Sequence, residues 1–144
     1  MADLHIEDFY RDAAAILIQL YNRFPRKGAV FVEDIAGDDE PDEFGLHSNR
    51  HMACFGTMLW LAEEGLLRYE SVIGQDAIDQ AVLTSECFNR LSTQYPEGEA
   101  ADGSGLVRES GLAVNRIRQC MANGTSTELS ETVHHFLFDP PARD

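Results

Sequence analysis

VFVEDIAGDDEPDEFGLHSNRHMACFGTMLWLAEEGLLRYESVIGQDAIDQAVLTSECFNRL, residues 30–91, is the stretch whose reading decides the fold. Ala29-Val30-Phe31-Val32 is too short for a helix and β-branched enough for a brief strand. Glu33-Asp34-Ile35-Ala36 reads as the start of a short helix, its acids suiting the positive helix N-terminus. Residues 37–45, GDDEPDEFG, place Asp38, Asp39, Glu40, Asp42 and Glu43 around Pro41, a sequence that cannot pack and is therefore an exposed loop. The Ser48 hydroxyl is placed to cap a helix running to Glu64. The expected inner face of that helix is Met52, Phe55, Leu59 and Ala62, with Trp60 beside it, and Gly65 closes it. Residues 66–72 have strand character, a turn surrounds Gly74-Gln75-Asp76, and residues 78–83 return with alternation, which predicts a hairpin. Thr84 then caps a helix over residues 85–94, with Cys87, Phe88 and Leu91 inward.

Before this stretch, Phe9, Ala13, Ile16, Leu17, Leu20, Tyr21 and Phe24 recur at three- and four-residue spacing, the stripe of an amphipathic helix that Pro25 and Gly28 end. After it, residues 95–105 (YPEGEAADGSG) have the composition of a linker. Two helices are predicted beyond. The first carries Leu106, Ser110, Val114, Ile117 and Met121 and stops at a left-handed Asn123-Gly124 cap. The second opens on Thr125-Ser126-Thr127-Glu128, with capping-box spacing, and continues through Leu129, Val133, Phe136 and Leu137. The organisation expected is thus residues 1–94 as one domain, a linker at 95–105, a helical pair at 106–138 and a tail at 139–144.

Composition narrows the class. The 144 residues suit one ordinary domain, and 44% hydrophobic residues suffice for a core. Cys54, Cys87 and Cys120 are sparse and odd in number, which fits buried reduced thiols rather than a disulfide framework. The acidic opening MADLHIEDFYRD lacks the apolar run of a signal peptide, so a cytoplasmic location is expected. The 25 acidic residues outnumber 11 basic ones, giving a formal charge of −14, and Lys27 is the single lysine. A field of that sign repels polyphosphate at long range and attracts basic partners.

The order helix, strand, short helix, longer helix, hairpin, helix resembles the winged helix-turn-helix superfamily. The residues that carry the likeness are VFVEDIAG at 30–37, HSNRHMACFGTMLWLAEEGLLRYE at 47–70 and AVLTSECFNRL at 81–91, and the likeness as a whole covers about two-thirds of the chain. The chain is also similar to small winged-helix proteins of bacteria and their mobile elements that carry a helical pair after the wing. The fold expected is mainly α with a small β hairpin, a winged helix-turn-helix followed by a C-terminal helical pair. In DNA-binding members the start of the third helix reads bases, which the resemblance maps onto Ser48, Asn49, Arg50 and His51. Here, however, the preceding turn is the acidic loop, and the wing tip carries Asp76 and Asp79 where those members hold phosphate with Arg or Lys. Terminal helices in such proteins often dimerise, which implies a homodimer.

Chemistry-bearing constellations are few. His47, His51 and Cys54 have the spacing of a three-ligand zinc set, with Glu43 or His135 as a fourth, but the favoured reading is satisfied or surface histidines, with no metal or cofactor. His134 and His135 are adjacent on a helix and point about 100° apart, so they cannot serve one substrate. No phosphate loop or nucleophile elbow is present. The function expected is therefore non-enzymatic. The chain reads as an acidic protein that binds another macromolecule, foremost a protein, through Asp38, Asp39, Glu40, Asp42 and Glu43. A complex subunit, regulator or inhibitor fits, including a role in phage–host conflict. The alternative is a dimeric sequence-specific DNA-binding regulator.

Overall fold

The first helix, α1 (Leu4–Arg23), buries Ala13, Ile16, Leu17 and Leu20, the stripe read from their spacing. The structure, a computed structural model, describes residues 4–94 and 111–139. The expected linker at 95–105, the helix residues Leu106 and Ser110, and the tail beyond Asp139 lie outside these residues. The chain divides into two compact units, Met1–Thr84 and Ser85–Asp144. Residues 85–94, grouped with the hairpin on sequence grounds, thus fall with the C-terminal helices.

In the first unit α1 is followed by β1 (Gly28–Phe31), α2 (Val32–Ala36), α3 (Asn49–Glu63), β2 (Leu67–Arg68), β3 (Ser71–Ile73) and β4 (Ala77–Leu83). The architecture is mainly helical with a small antiparallel sheet of four strands. The hairpin expected from sequence is present, but its first strand breaks into β2 and β3, and β1 joins as a further strand. β4 is the centre, pairing with β1 on one side and with β2 and β3 on the other. Opposite β1 the register runs Gly28↔Ala81 and then Val30↔Ile78, so β4 holds one extra residue there. Gln80 takes it up with a left-handed φ of 56°, and Asp79 Oδ1 accepts its N–H at 2.9 Å. This bulge breaks strict alternation and lets Ala77, Ile78, Ala81, Val82 and Leu83 all be buried.

The inner face of α3 differs from expectation. The buried residues are His51, Cys54, Phe55, Thr57, Met58 and Leu61, whereas Met52, Leu59 and Ala62 are only half-buried. The helix has turned by about one residue, roughly 100°. Its apolar residues run nearly all round, so no single stripe is dictated locally, and packing against α1 and α2 selects this one. The outcome is that His51 and Cys54 enter the interior while Ala53 and Gly56 face a shallow apolar groove of about 370 Å³ shared with His5, Ile6, Phe9 and Trp60.

In the second unit α4 (Ser85–Leu91), α5 (Ala113–Asn123) and α6 (Ser126–Phe138) bury Cys87, Leu91, Val114, Ile117, Leu129, Val133 and Phe136. The capping box is formed: Thr125 Oγ1 accepts the Glu128 N–H at 3.1 Å, and Glu128 Oε1 accepts the Thr125 N–H at 3.0 Å. Gly124 corrects the expected left-handed cap, since it is extended at φ −89°. Its value is closeness instead: an added Cβ would stand 2.9 Å from Glu128 Oε1 and 3.0 Å from the Cys120 carbonyl.

All three cysteines are free thiols. Burial pushes the thiols of Cys54 and Cys87 up to about 12, so almost none of either is thiolate at neutral pH. Native-state alkylation at pH 8 is therefore expected to spare Cys54 and Cys87 and to modify them only after unfolding. Peptide mass spectrometry checks this, and rapid labelling of either in the folded protein would contradict the burial described. No helix among the described residues is long and apolar enough to cross a membrane.

Candidate functional site

Four segments of the first unit meet at the beginning of α3. The loop after α2 supplies Asp39, the residue before the helix cap is His47, the first turn of α3 carries His51, and the β3–β4 turn contributes Gln75 and Asp76. Ser48 is the N-cap, as its position predicts, and its hydroxyl accepts the His51 N–H at 3.1 Å. The same hydroxyl donates to Asp39 Oδ1 at 2.5 Å, and the Ser48 N–H donates to Asp39 Oδ2 at 3.2 Å. Asp39 is thus folded back onto the helix start. The Ser48 and His47 hydrogen bonds hold its carboxyl down at about 2, so it is ionised throughout the neutral range.

The two imidazoles lie flat on each other, with centroids 3.7 Å apart and planes 7° from parallel. Their Nδ1 edges face Asp39 Oδ2, at 3.0 Å from His47 and 3.9 Å from His51. Their Nε2 edges face the β3–β4 turn. His47 Nε2 is 3.0 Å from Asp76 Oδ1, and His51 Nε2 is 2.8 Å from the Gln75 carbonyl. His51 is buried, 2% exposed, and its Nδ1 has no hydrogen-bond partner among the described residues.

Arg50, one residue earlier, points the other way. Its Nη1 and Nη2 donate to the two oxygens of Asp12 at 2.7 and 2.6 Å, and its Nε stands 3.6 Å from Asp8 Oδ2. Asp12 is 1% exposed, a carboxylate inside the apolar stripe of α1. The hydrogen bonds to Asp12 raise the Arg50 guanidinium further above its ordinary value. This fork-on-fork pairing fixes the guanidinium plane as well as its charge.

The residues singled out from sequence therefore have different fates. Of Ser48, Asn49, Arg50 and His51, only Asn49 is exposed with no interaction described for it; Ser48 caps, Arg50 is paired to α1 and His51 is interior. Of the loop acids, Asp38, Glu40 and Glu43 are exposed. Asp39 turns inward, and Asp42 Oδ1 accepts the N–H groups of Phe44 and Leu46 at 2.8 and 2.9 Å. That turn leaves Phe44 and Leu46 78% and 62% exposed. In the His47, His51, Cys54 set, the two histidines do meet, but Cys54 lies by Asp12 and Arg50, and Asp39 takes the third place.

Asp12 and Gln75 are the residues that sequence reasoning missed. The one available signal for Asp12 was a charge on the buried stripe, one residue before Ala13, where a cation on another helix must answer it. For Gln75 the relevant group is a backbone carbonyl, on which the side-chain identity is silent. No protein-family model, curated protein or solved structure matches this chain.

Proposed function

We propose that the chain is a non-enzymatic binding module on a winged-helix scaffold, and that its partner is a protein presenting a basic surface. The element order of the first unit, α1-β1-α2-α3 followed by the β2/β3–β4 hairpin, supports the scaffold reading. The observation that carries the functional reading is the capture of Arg50 by Asp12. A groove reader needs cations at the start of α3 and on the hairpin turn to neutralise phosphates. Here the helix cation is spent inside the fold, and the turn offers Asp76. The neighbouring loop meanwhile holds out Asp38, Glu40 and Glu43 around the exposed Phe44 and Leu46. An aromatic anchor within a polar rim is the arrangement of a protein interface.

The test is a quantitative capture experiment with a variant carrying Asp38→Lys, Glu40→Lys and Glu43→Lys beside the unmodified chain. The basic protein recovered by the unmodified chain at physiological salt is expected to fall about tenfold or more with the variant, because like charges now face each other. Equal recovery by both removes the acidic loop from the interface. A second reading, a dimeric sequence-specific DNA-binding regulator, is favoured by one feature, the exposed Asn49 at the helix start. A gel-shift series over genomic fragments at low salt separates the two. No preference among the fragments is expected, and tight sequence-specific retardation would overturn the first reading.

A further inference from the structure

We propose that Asp39, His47 and His51 form a three-ligand site for a divalent transition-metal ion, Zn²⁺ foremost. This goes beyond the partner reading and does not depend on it. A ligand atom of each residue lies within 4.8 Å of the others. Around a tetrahedral ion with bonds of about 2.0–2.1 Å, ligand atoms stand about 3.3–3.5 Å apart. The separations of 3.0 and 3.9 Å from Asp39 Oδ2 to the two Nδ1 atoms bracket that value. Because the two imidazole planes lie 7° from parallel, the rings must also swing out of their stack before their in-plane lone pairs can meet on one ion.

The surroundings supply the outer contacts that such a site requires. A neutral imidazole has one N–H, and metal-ligating histidines give it to a carboxylate or carbonyl on the far side. His51 Nε2 meets the Gln75 carbonyl, and His47 Nε2 meets the Asp76 carboxylate. Metal binding would shift the His47 proton from the Asp39 side to Nε2, so that both Nδ1 atoms turn a lone pair toward Asp39. Among the described residues His51 Nδ1, on a side chain 1% exposed, has no hydrogen-bond partner, and an ion would supply one. The two Ser48 donors hold Asp39 in place as the third ligand. His47 and Asp39 keep 15% and 13% side-chain exposure, which leaves an entry path for an ion and a fourth position for water. Two nitrogens and one carboxylate oxygen suit Zn²⁺, Co²⁺ or Fe²⁺ better than Mg²⁺ or Ca²⁺, which take all-oxygen sets. The ion would tie the acidic loop to the first turn of α3, and through Asp76 to the hairpin turn.

The experiment uses the untagged chain, stripped with a chelator and titrated with ZnCl₂ by calorimetry and with CoCl₂ by visible absorption. One ion per chain is expected, with Co²⁺ ligand-field bands of a low-coordinate nitrogen–oxygen site. Asp39→Asn and His47→Ala should each weaken Zn²⁺ binding by about 100-fold or more, and Asp76→Asn, in the outer contacts, by about 10- to 100-fold. Cys120→Ser should leave binding unchanged. His51→Gln is read only where circular dichroism shows a folded chain, and the two surface-side variants decide the matter without it. The absence of saturable binding at one ion per chain overturns the proposal, as does binding that persists unchanged in Asp39→Asn and His47→Ala.

Discussion

Arg50→Ala is expected to destabilise the protein by about 3–5 kcal/mol, because it strands a buried carboxylate without its cation. Asp12 is 1% exposed and receives both of its charge-assisted hydrogen bonds from this one guanidinium. The reverse change should cost less. With Asp12→Ala, Arg50, whose side chain is 34% exposed, can turn toward water and toward Asp8, so about 1–2 kcal/mol is expected. Arg50→Lys should recover only part of the loss, since an ammonium cannot make the two-pronged contact. The double change Asp12→Leu with Arg50→Met should restore most of it, because an apolar pair removes the charge that needed an answer. Urea unfolding monitored by circular dichroism measures all four. If Arg50→Ala shifts stability by less than about 0.5 kcal/mol, below the range expected even of a mild substitution, Asp12 is not held by Arg50 and the guanidinium is free for another ligand. This series also bears on the DNA alternative. An Arg that reads guanine should lose binding on truncation while the fold stays intact; here the fold itself is expected to suffer.

The same pair shows where sequence reading reaches its limit. Capping signals are local, and so Ser48 and the Thr125–Glu128 box could be placed from a few neighbouring residues. The stripe of α1 was equally legible because its polar residues leave one apolar face. α3 is different: Met52, Cys54, Phe55, Met58, Leu59, Trp60 and Leu61 surround the axis, so its orientation is a tertiary choice. A turn of one residue decides whether His51 faces solvent or interior, and with it the character of the whole site. The i, i+4 spacing of His47 and His51 was visible, yet the third partner, Asp39, comes from a loop eight residues away, where periodicity carries no information. The fold order followed from local pattern, whereas the pairing of Arg50 with Asp12 depended on packing between helices 38 positions apart.

Phe136→Ala should cost about 3–5 kcal/mol, the loss of a large buried ring together with the cavity it leaves. Phe136 is 0% exposed on α6, in the second unit. The Arg90 guanidinium carbon sits 4.7 Å from its ring centroid, and Arg90 Nη2 donates to the Phe136 carbonyl. Truncation therefore removes a cation–π contact as well as apolar burial. It leaves beside the cavity an Arg90 whose Nε already lacks a hydrogen-bond partner among the described residues. Phe136→Leu keeps most of the volume but not the π face, so it should cost about 1–1.5 kcal/mol. Arg90→Met tests the cation separately: a small loss there, with the full loss in Phe136→Ala, assigns the energy to packing. Amide exchange should accelerate along α5 and α6 in Phe136→Ala, since Ala113, Val114, Ile117, Leu129 and Val133 are the other buried apolar residues of these helices. A loss below about 1 kcal/mol would mean that the core of this unit lies elsewhere, because a fully buried phenylalanine cannot be removed from a packed interior that cheaply.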